Sequence, residues 1–295
     1  MPEKEIKPQT IEPGFYPDLS NEDYHGGPGI SKTGLDQIDR SPLHYITERR
    51  HRRLTTDPMR VGQAIHCAIL EPDTFDAHFV KSEFSEFRTK AAKEWKKTQE
   101  LAGRYVLKVN DNADFWRVSE WNFVQAVRDS VRSDPFASIL LDLTQGRAEQ
   151  SAFWIDRETR KLCKCRPDFL NDSHNLAIDL KSTVDASFTG FGKSCANFRY
   201  HVQSAFYSDG LSEVGEPVNS FVFVAVGKDP PYAVACYVLD DEAIRVGRAQ
   251  YRENLRVYSE CWKRDHWPGY PGTTIFEPGV RSLELAPWGL RGHVS

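Results

Sequence analysis

The stretch from Lys161 to Lys181, KLCKCRPDFLNDSHNLAIDLK, decides how the rest of the chain is interpreted. An apolar and basic run ends in RPDF at residues 166–169, and a polar turn follows. A second run, residues 176–181, alternates apolar and polar side chains. Alternation with a period of two is typical of a strand with one buried face. The stretch therefore predicts a β-hairpin.

Three charged side chains should meet where this hairpin closes. Asp179 and Lys181 are two residues apart on a predicted strand, so they project from one face, and closure brings Asp168 near both. Two carboxylates suit a hard cation such as Mg²⁺, and a nearby ammonium can orient an attacking water or stabilise a phosphoryl oxygen. The same pattern is also common as a surface ion pair, so the flanking sequence has to decide between the two interpretations.

Length and composition place the chain among globular proteins. Its 295 residues suffice for one large domain, or two small ones, with a sizeable core. Charged residues make up 27% and apolar residues 40%, which is ordinary for such proteins. The net charge of −4 gives no global sign of a nucleic-acid partner. That is weak evidence, because carboxylates of a metal site add negative charge and basic residues can be confined to one groove.

The cysteines and the first residues predict a reduced, cytoplasmic protein. The six cysteines include no C-x-x-C pair, so neither a zinc finger nor an iron–sulfur cluster is expected. The start, MPEKEIKPQTIEPG, lacks an apolar signal region, and no apolar run approaches membrane-spanning length. We therefore expect no membrane partner, and a location in the cytoplasm of a bacterial or phage-infected cell.

The pattern along the chain predicts one domain between an arm and a tail. Residues 1–14 are polar and contain proline, which indicates a flexible arm, and residues 15–267 form the domain. Its N-terminal part, residues 30–146, is helical, and its sheet core covers residues 147–262. The Pro- and Gly-rich residues 268–295 are an irregular tail.

The helical part contains several amphipathic or basic segments. Ser31 is a suitable N-cap for the first of them, and Ser41 with its following proline opens the second. His66 lies alone on an apolar helix, where a histidine is more often a core residue than a ligand. Helices are predicted from residues 31 and 42 onward, over 60–70 and 88–104, and twice within 112–141; residues 14–29 are predicted as an ordered loop.

The C-terminal part changes to the period of strands. In order we predict a strand at 147–155, the hairpin, a loop at 183–193, a helix at 198–211, strands at 218–226 and 232–239, and a helix at 240–262. This order indicates an α/β (α+β) domain whose central mixed sheet of about five strands is flanked by helices.

Five short motifs occur in a fixed order on these predicted elements. They are G-x-x-x-H (Gly62, His66), Glu149, R-P-D (Arg166 to Asp168), D-x-K (Asp179, Lys181) and Q-x-x-x-Y (Gln203, Tyr207). Together with NEDYH, ISKTGL, SPLHY, GQAIHCAILEPD and EQSAFW, they resemble the PD-(D/E)XK nucleases of the RecB-like branch, above all the RecE-type exonuclease VIII domain of phage recombination. The resemblance covers about residues 15–262 and implies a restriction-endonuclease-like core.

The resemblance also implies a metal site. Asp168 and Asp179 would bind Mg²⁺, with Mn²⁺ as a substitute, together with the backbone carbonyl of Leu180. His66 would be a further ligand, and a nitrogen donor favours tolerance of Mn²⁺. Glu149 would be a ligand of a second metal, a water-mediated ligand or a structural residue.

The remaining motif residues would contact water, phosphate or their neighbours. Lys181 would position the attacking water and offset charge on the scissile phosphate by electrostatics. Gln203 would orient Lys181 or the phosphate, and Tyr207 would line the site or pack. Further candidates for phosphate or DNA contact are Ser31, Thr33 and Arg166 near the site and Arg52, Arg53, Lys93 and Lys97 in basic segments.

The implied reaction is metal-dependent hydrolysis of DNA from the ends of linear duplexes. The resemblance suggests 5′-to-3′ polarity, release of 5′-mononucleotides and a 3′ single-stranded tail. It also suggests a RecT-like single-strand annealing partner and a ring-shaped homo-oligomer, a trimer or tetramer. Two alternatives stay open: a structure-specific, sequence-specific or CRISPR-type endonuclease of the same fold, and a DNA-end-binding protein without catalysis.

Overall fold

The computed structural model describes residues 11–51, 56–109 and 118–270. In chain order its strands and helices are β1 (Gly14–Tyr16), α1 (Asn21–Gly26), α2 (Lys32–Arg40), α3 (Pro42–Arg50), α4 (Asp57–Leu70), α5 (Phe75–His78), β2 (Phe79–Lys81), α6 (Lys90–Leu101), β3 (Tyr105–Leu107), α7 (Glu120–Ser133), α8 (Pro135–Leu140), β4 (Gly146–Ala148), β5 (Ser151–Ile155), β6 (Leu162–Cys165), β7 (Phe169–Asn171), β8 (Leu176–Thr183), α9 (Phe188–Asn197), α10 (Tyr200–Glu213), β9 (Ser220–Gly227), β10 (Val234–Val238) and α11 (Asp241–Arg264). None of the helices in these ranges has the length and apolarity that crossing a membrane requires.

A five-stranded mixed sheet forms the centre, in the order β10-β9-β8-β7-β4. Strands β8 and β9 are parallel, and the other neighbours are antiparallel. On one face the sheet packs against α4, α7 and α8, and on the other against α10, with α2 and α11 packed on α10 in the same buried cluster. The predicted α/β architecture, with a mixed sheet of about five strands between helices, is confirmed.

Strand β8 contributes side chains to both faces of this sheet. Ile178 and Leu180 are buried against the α4 and α7 side, and Ala177 lies in the core with α10. Because side chains alternate along a strand, Asp179 and Lys181 share the face of Ala177. The sheet therefore directs the predicted pair of charges toward α10.

The predicted strand at 147–155 is divided in two. Its first part, β4, pairs with β7 in the central sheet, while β5 belongs to a separate sheet of order β1-β5-β6. Glu149 lies at the break with φ of 52°, and a left-handed residue interrupts a strand ladder. The single-strand prediction was therefore wrong.

The predicted hairpin is divided in the same way. Strands β7 and β8 form its antiparallel pair, with Phe169 opposite Ile178, as expected. The preceding run, β6, instead pairs with β5 in the other sheet. Residues 166–168 connect the sheets, and Pro167 cannot donate a ladder hydrogen bond there.

A helix, α9, occupies much of the predicted loop at 183–193. Ser187 caps it by accepting a hydrogen bond from the backbone N–H of Gly190 at 3.2 Å, and Phe191 and Cys195 are buried one turn apart. Gly190 and Gly192 have low helix propensity, so the sequence of this segment did not indicate a helix. The loop predicted at 14–29 likewise contains β1 and α1.

The other predicted elements that fall within the described residues are present. Ser31 and Ser41 cap α2 and α3 as expected, accepting hydrogen bonds from the backbone N–H groups of Gly34 and His44. The basic helix α6 buries little more than Ala92 and Gln99. Residues 1–10 of the predicted arm, residues 271–295 of the predicted tail, and Arg52 and Arg53 lie outside the described residues.

Candidate metal and active site

A cavity of about 1980 Å³ brings the predicted motif residues together. It is lined by α1, α2, α4 and α10 and by the two breaks that connect the sheets. The motif side chains that border it are His66, Glu149, Arg166, Asp168, Asp179, Lys181, Gln203 and Tyr207. All five motifs therefore contribute side chains to the wall of one cavity.

Three of these residues form a group suited to a metal ion. Donor atoms of His66, Glu149 and Asp168 all lie within 4.8 Å of one another. His66 comes from α4, and the two carboxylates come from the breaks. The N–H of Glu149 donates to the carbonyl of Asp168 at 3.0 Å, which ties the breaks together. Two carboxylates and an imidazole match the oxygen and nitrogen donors that Mg²⁺ and Mn²⁺ accept.

The backbone of β8 positions the Asp168 carboxylate. Oδ2 of Asp168 accepts a hydrogen bond from the N–H of Leu180 at 2.7 Å and lies 3.5 Å from Nδ1 of His66. The expected approach of Asp168 to the second strand is therefore confirmed. The structure assigns the Leu180 N–H to this contact, and the role of the Leu180 carbonyl stays a prediction.

Asp179 lies beside this group with both carboxylate oxygens engaged. Its side chain is 2% exposed; Oδ1 pairs with Nζ of Lys181 and Oδ2 accepts a hydrogen bond from Nε2 of Gln203. Gln203 thus contacts Asp179. The sequence analysis had predicted that it would orient Lys181 or a phosphate. Asp179 holds the ammonium in place, and its predicted role as a ligand stays a prediction.

Crowding of the carboxylates changes their pKa values. Burial and then the charge of Asp168 raise the pKa of Glu149 to about 7 and that of Asp179 to about 6. Burial acts in the same direction on Asp168, but His66, Lys181 and the Leu180 N–H hold the pKa of its carboxyl below its usual value. Asp168 is therefore the carboxylate of the group that most readily carries a charge.

The two basic groups of the site are stabilised in their charged forms. Burial lowers the pKa of His66, but Asp168 and then Glu149 outweigh it and raise the value to about 9. Burial likewise lowers the pKa of Lys181, and Asp179 and Asp168 reverse this and raise it. A histidine binds a metal only as neutral imidazole, so an ion bound by His66 would displace its proton. Among these five residues Lys181 would then be the one remaining cation facing three carboxylates, and a divalent ion would balance the other two negative charges.

Arg166 lines the cavity from a buried position. Its side chain is 7% exposed; Nε donates to Oγ of Ser151 at 2.8 Å, and Nη2 donates to the carbonyl of Leu19 at 2.7 Å. The guanidinium lies 4.5 Å from the ring centroid of Tyr24. The structure thus gives Arg166 several protein partners, and its predicted contact with phosphate stays a prediction.

The other predicted phosphate-binding residues are placed differently from one another. Ser31, at the start of α2, and the exposed Thr33 both line the cavity. Lys93 and Lys97 instead border a separate surface depression on α6. Tyr207 is 9% exposed and packs edge-on against Phe221, with 5.9 Å between ring centroids.

The cavity is also bordered by cationic side chains that the sequence analysis did not single out, those of Lys164 and Lys32 among them. Lys164 is 5% exposed and donates to the carbonyls of Tyr24 and Gly27 at 2.6 and 2.9 Å. Burial, followed by repulsion from Arg49 and Arg166, lowers the pKa of Lys164 to about 8. The sequence signal for Lys164 was its position inside a short strand, between two buried cysteines, where its side chain faces the protein interior.

Lys32 is a second cationic residue that sequence reasoning missed. Its Nζ donates to the carbonyl of Phe198 at 2.5 Å and pairs with Asp36 at 2.7 Å. The partner in the first contact is 166 residues away in the sequence, so only the fold shows that Lys32 lies near Lys181.

Replacing Gln203 with methionine should reduce the turnover number of this site about 10- to 100-fold, with little change in KM. Methionine preserves the volume but removes the amide that donates to Asp179, so Asp179 and its partner Lys181 lose their fixed position. Steady-state kinetics on linear duplex DNA, the substrate that the resemblance implies, would measure the two constants. Gln250→Met, which removes a contact with His201 on the far side of α10, is the matched control. An unchanged turnover number in Gln203→Met would contradict a positioning role.

Comparison with known proteins identifies the family. The family described as "PDDEXK-like domain of unknown function (DUF3799)" matches residues 31–276. No curated protein matches the sequence. A crystal structure from Eubacterium rectale, described as a "Putative exonuclease", aligns over 94% of this chain and 99% of its own, with a TM-score of 0.57 and 12% identity. At that identity the likeness shows the fold alone. The chain therefore belongs to the DUF3799 family of PDDEXK-like domains.

Proposed function

We propose that this protein is a divalent-metal-dependent exonuclease that hydrolyses phosphodiester bonds from the ends of linear double-stranded DNA. The observation that carries the proposal is the group of His66, Glu149 and Asp168 next to the buried Asp179–Lys181 pair. The PDDEXK-like family and a structural neighbour described as a "Putative exonuclease" support a nuclease.

The donor set fits the metal that this chemistry needs. Bound by His66, Glu149 and Asp168, Mg²⁺ or Mn²⁺ would polarise a phosphoryl oxygen and lower the pKa of a water. The Lys181 ammonium donates a hydrogen bond to the phosphate and offsets charge as it develops. Because its pKa is raised, Lys181 stays protonated and does not remove a proton from water.

The remaining contacts keep these groups in position. Asp179 fixes the Lys181 ammonium, and Gln203 fixes Asp179. The N–H of Leu180 fixes the carboxylate of Asp168. A site held by the backbone of a central strand loses little energy to reorganisation during the reaction.

The size of the cavity favours a polymeric substrate, and the cations on part of its wall suit an anionic one. Its volume of about 1980 Å³ is well above the roughly 300–1,000 Å³ of sites for small molecules. Lys32, Arg49, Lys164 and Arg166 border it, which suits the phosphates of a nucleic-acid strand.

The finer features of the proposal follow the resemblance to RecE-type enzymes. They are 5′-to-3′ polarity, release of 5′-mononucleotides, a 3′ single-stranded tail and a role in phage-type homologous recombination. We also propose a ring-shaped homo-oligomer, a trimer or tetramer, and a RecT-like annealing partner in the cytoplasm. Sedimentation of the purified chain tests the oligomer directly.

One assay tests the reaction. A linear duplex labelled at either end and a closed circular plasmid are incubated with the protein in Mg²⁺, in Mn²⁺ and in EDTA. We expect loss of the linear DNA alone, release of the 5′ label as mononucleotide before the 3′ label, and no reaction in EDTA. Nicking of the circle would show an endonuclease, and binding of ends without cleavage in either metal would show a non-catalytic end-binding protein.

A further inference from the structure

Three aromatic rings form a stack that runs from the central sheet to the cavity. Phe223 of β9 is fully buried, and the ring of Tyr200 lies on it with 5.5 Å between centroids and 27° between planes. Phe198 continues the stack at 5.7 Å and 28° from Tyr200. Phe198 lines the cavity and is 59% exposed. The stack therefore ends in an aromatic ring that is open to the cavity.

This stack lies beside the proposed catalytic lysine. Nζ of Lys181 is 5.0 Å from the centroid of the Tyr200 ring, and Nζ of Lys32 is 5.9 Å from it. The Tyr200 ring thus contacts both the Lys181 ammonium and the exposed ring of Phe198. A phosphate held by Lys181 would place its own nucleoside, or the next one, within reach of Phe198.

The backbone that carries Phe198 is held at several points. Its N–H donates to the carbonyl of Ser194 at 2.9 Å, and its carbonyl accepts from Lys32. The following residue, Arg199, donates to Asp36 at 3.0 Å and to Asn254 at 2.7 Å. The exposed ring is therefore presented from a fixed backbone, which favours a binding role because little order has to be gained on contact.

We propose that Phe198 is a stacking platform for a nucleobase next to the scissile phosphate. The proposal rests on the nuclease function above and adds a residue that determines which substrates are used well. Every nucleobase has an aromatic face, so stacking on a phenylalanine tolerates any sequence but requires that a base be present. The enzyme should therefore distinguish nucleotides with a base from abasic ones.

The test compares two duplexes that differ only at their ends. One duplex has ordinary nucleotides throughout. In the other, the terminal and penultimate nucleotides of both strands are abasic at each end. We expect Phe198→Ala to lower kcat/KM on the ordinary duplex about 10-fold and to match the wild type on the abasic duplex. Phe198→Trp should restore the activity, since it retains an aromatic face.

Phe188→Ala is the matched control for a general effect of losing an exposed ring. Phe188 is the first residue of α9, the helix that ends just before Phe198; it is 83% exposed and lies outside the cavity lining. We expect wild-type kinetics on both duplexes. Equal activity of Phe198→Ala and wild type on the ordinary duplex, or equal losses on both duplexes, would overturn the platform. If the wild type cleaves neither duplex, the nuclease function itself fails.

Discussion

Replacing Asp168 with asparagine is expected to lower phosphodiester hydrolysis by about 10³-fold or more. Asparagine keeps the size of the side chain and an oxygen that can accept the N–H of Leu180. It removes the negative charge that faces His66 and that a divalent ion would bind. The loss should therefore appear in both metal affinity and rate, while the fold is retained. Titration calorimetry with Mn²⁺ and initial rates in Mg²⁺ measure the two effects.

Asp172→Asn is the matched control for this substitution. Asp172 follows β7 in the same hairpin, but its carboxylate is half-exposed and pairs with Arg147 on the surface. We expect its hydrolysis rate and its metal affinity to equal those of the wild type. Wild-type hydrolysis by Asp168→Asn would place the active site elsewhere in the chain.

A large loss of stability is expected from Gly247→Ala in α11. A Cβ at this position would lie 2.1 Å from the carbonyl oxygen of His201 in α10 and 2.5 Å from its carbonyl carbon. Because the obstacle is backbone, the two helices must separate to admit one methyl group. We expect the free energy of unfolding to fall by about 2–3 kcal/mol, as is typical of overpacked cores. Urea denaturation followed by circular dichroism measures the change.

Gly192→Ala separates this steric effect from the general consequence of replacing a helical glycine. Gly192 lies within α9, and a Cβ there meets nothing within 4 Å. Since alanine is the better helix former, this variant should gain about 0.5–1 kcal/mol. If Gly247→Ala were as stable as the wild type, α10 and α11 would be farther apart than the structure places them.

The long helices and the central sheet could be predicted because their sequence signals are local. The alternation at residues 176–181 fits the period of a strand, and β9 is a continuous apolar run of the length of a buried strand. The serine caps of α2 and α3 gave their starting points as well. The three-residue strands β1, β2 and β3 are too short to establish a period, and they were missed.

The two breaks between the sheets could not be predicted, although they carry Glu149 and Asp168, the carboxylates of the candidate metal-binding group. Glu149 adopts a left-handed conformation that glutamate rarely favours, so its identity gave no sign of a break. Long-range contacts, such as that between the N–H of Glu149 and the carbonyl of Asp168, hold it there. Local propensity is overridden at this position, as is common at functional sites.

The sequence motifs indicated which residues would lie close together, but not how these residues contact one another. Motif order identified His66, Asp168, Asp179, Lys181 and Gln203, all of which line one cavity. His66, Glu149 and Asp168 form the candidate metal-binding group, whereas Asp179 is held by Lys181 and Gln203. This distinction depends on distances of a few ångströms between elements that are far apart in the sequence. Phe198 belongs to none of the sequence motifs. Its exposure in the cavity depends on the fold and could not be read from the sequence.

The metal group draws its members from segments that are far apart in the order of synthesis. His66 belongs to a helix packed on one face of the central sheet, and Glu149 and Asp168 follow about a hundred residues later at the crossings between the sheets. An ion bound there would cross-link early and late segments and stabilise only the completed domain by mass action. A nascent chain that ends before residue 168 cannot assemble the group, so hydrolytic activity would be withheld until the sheet has formed.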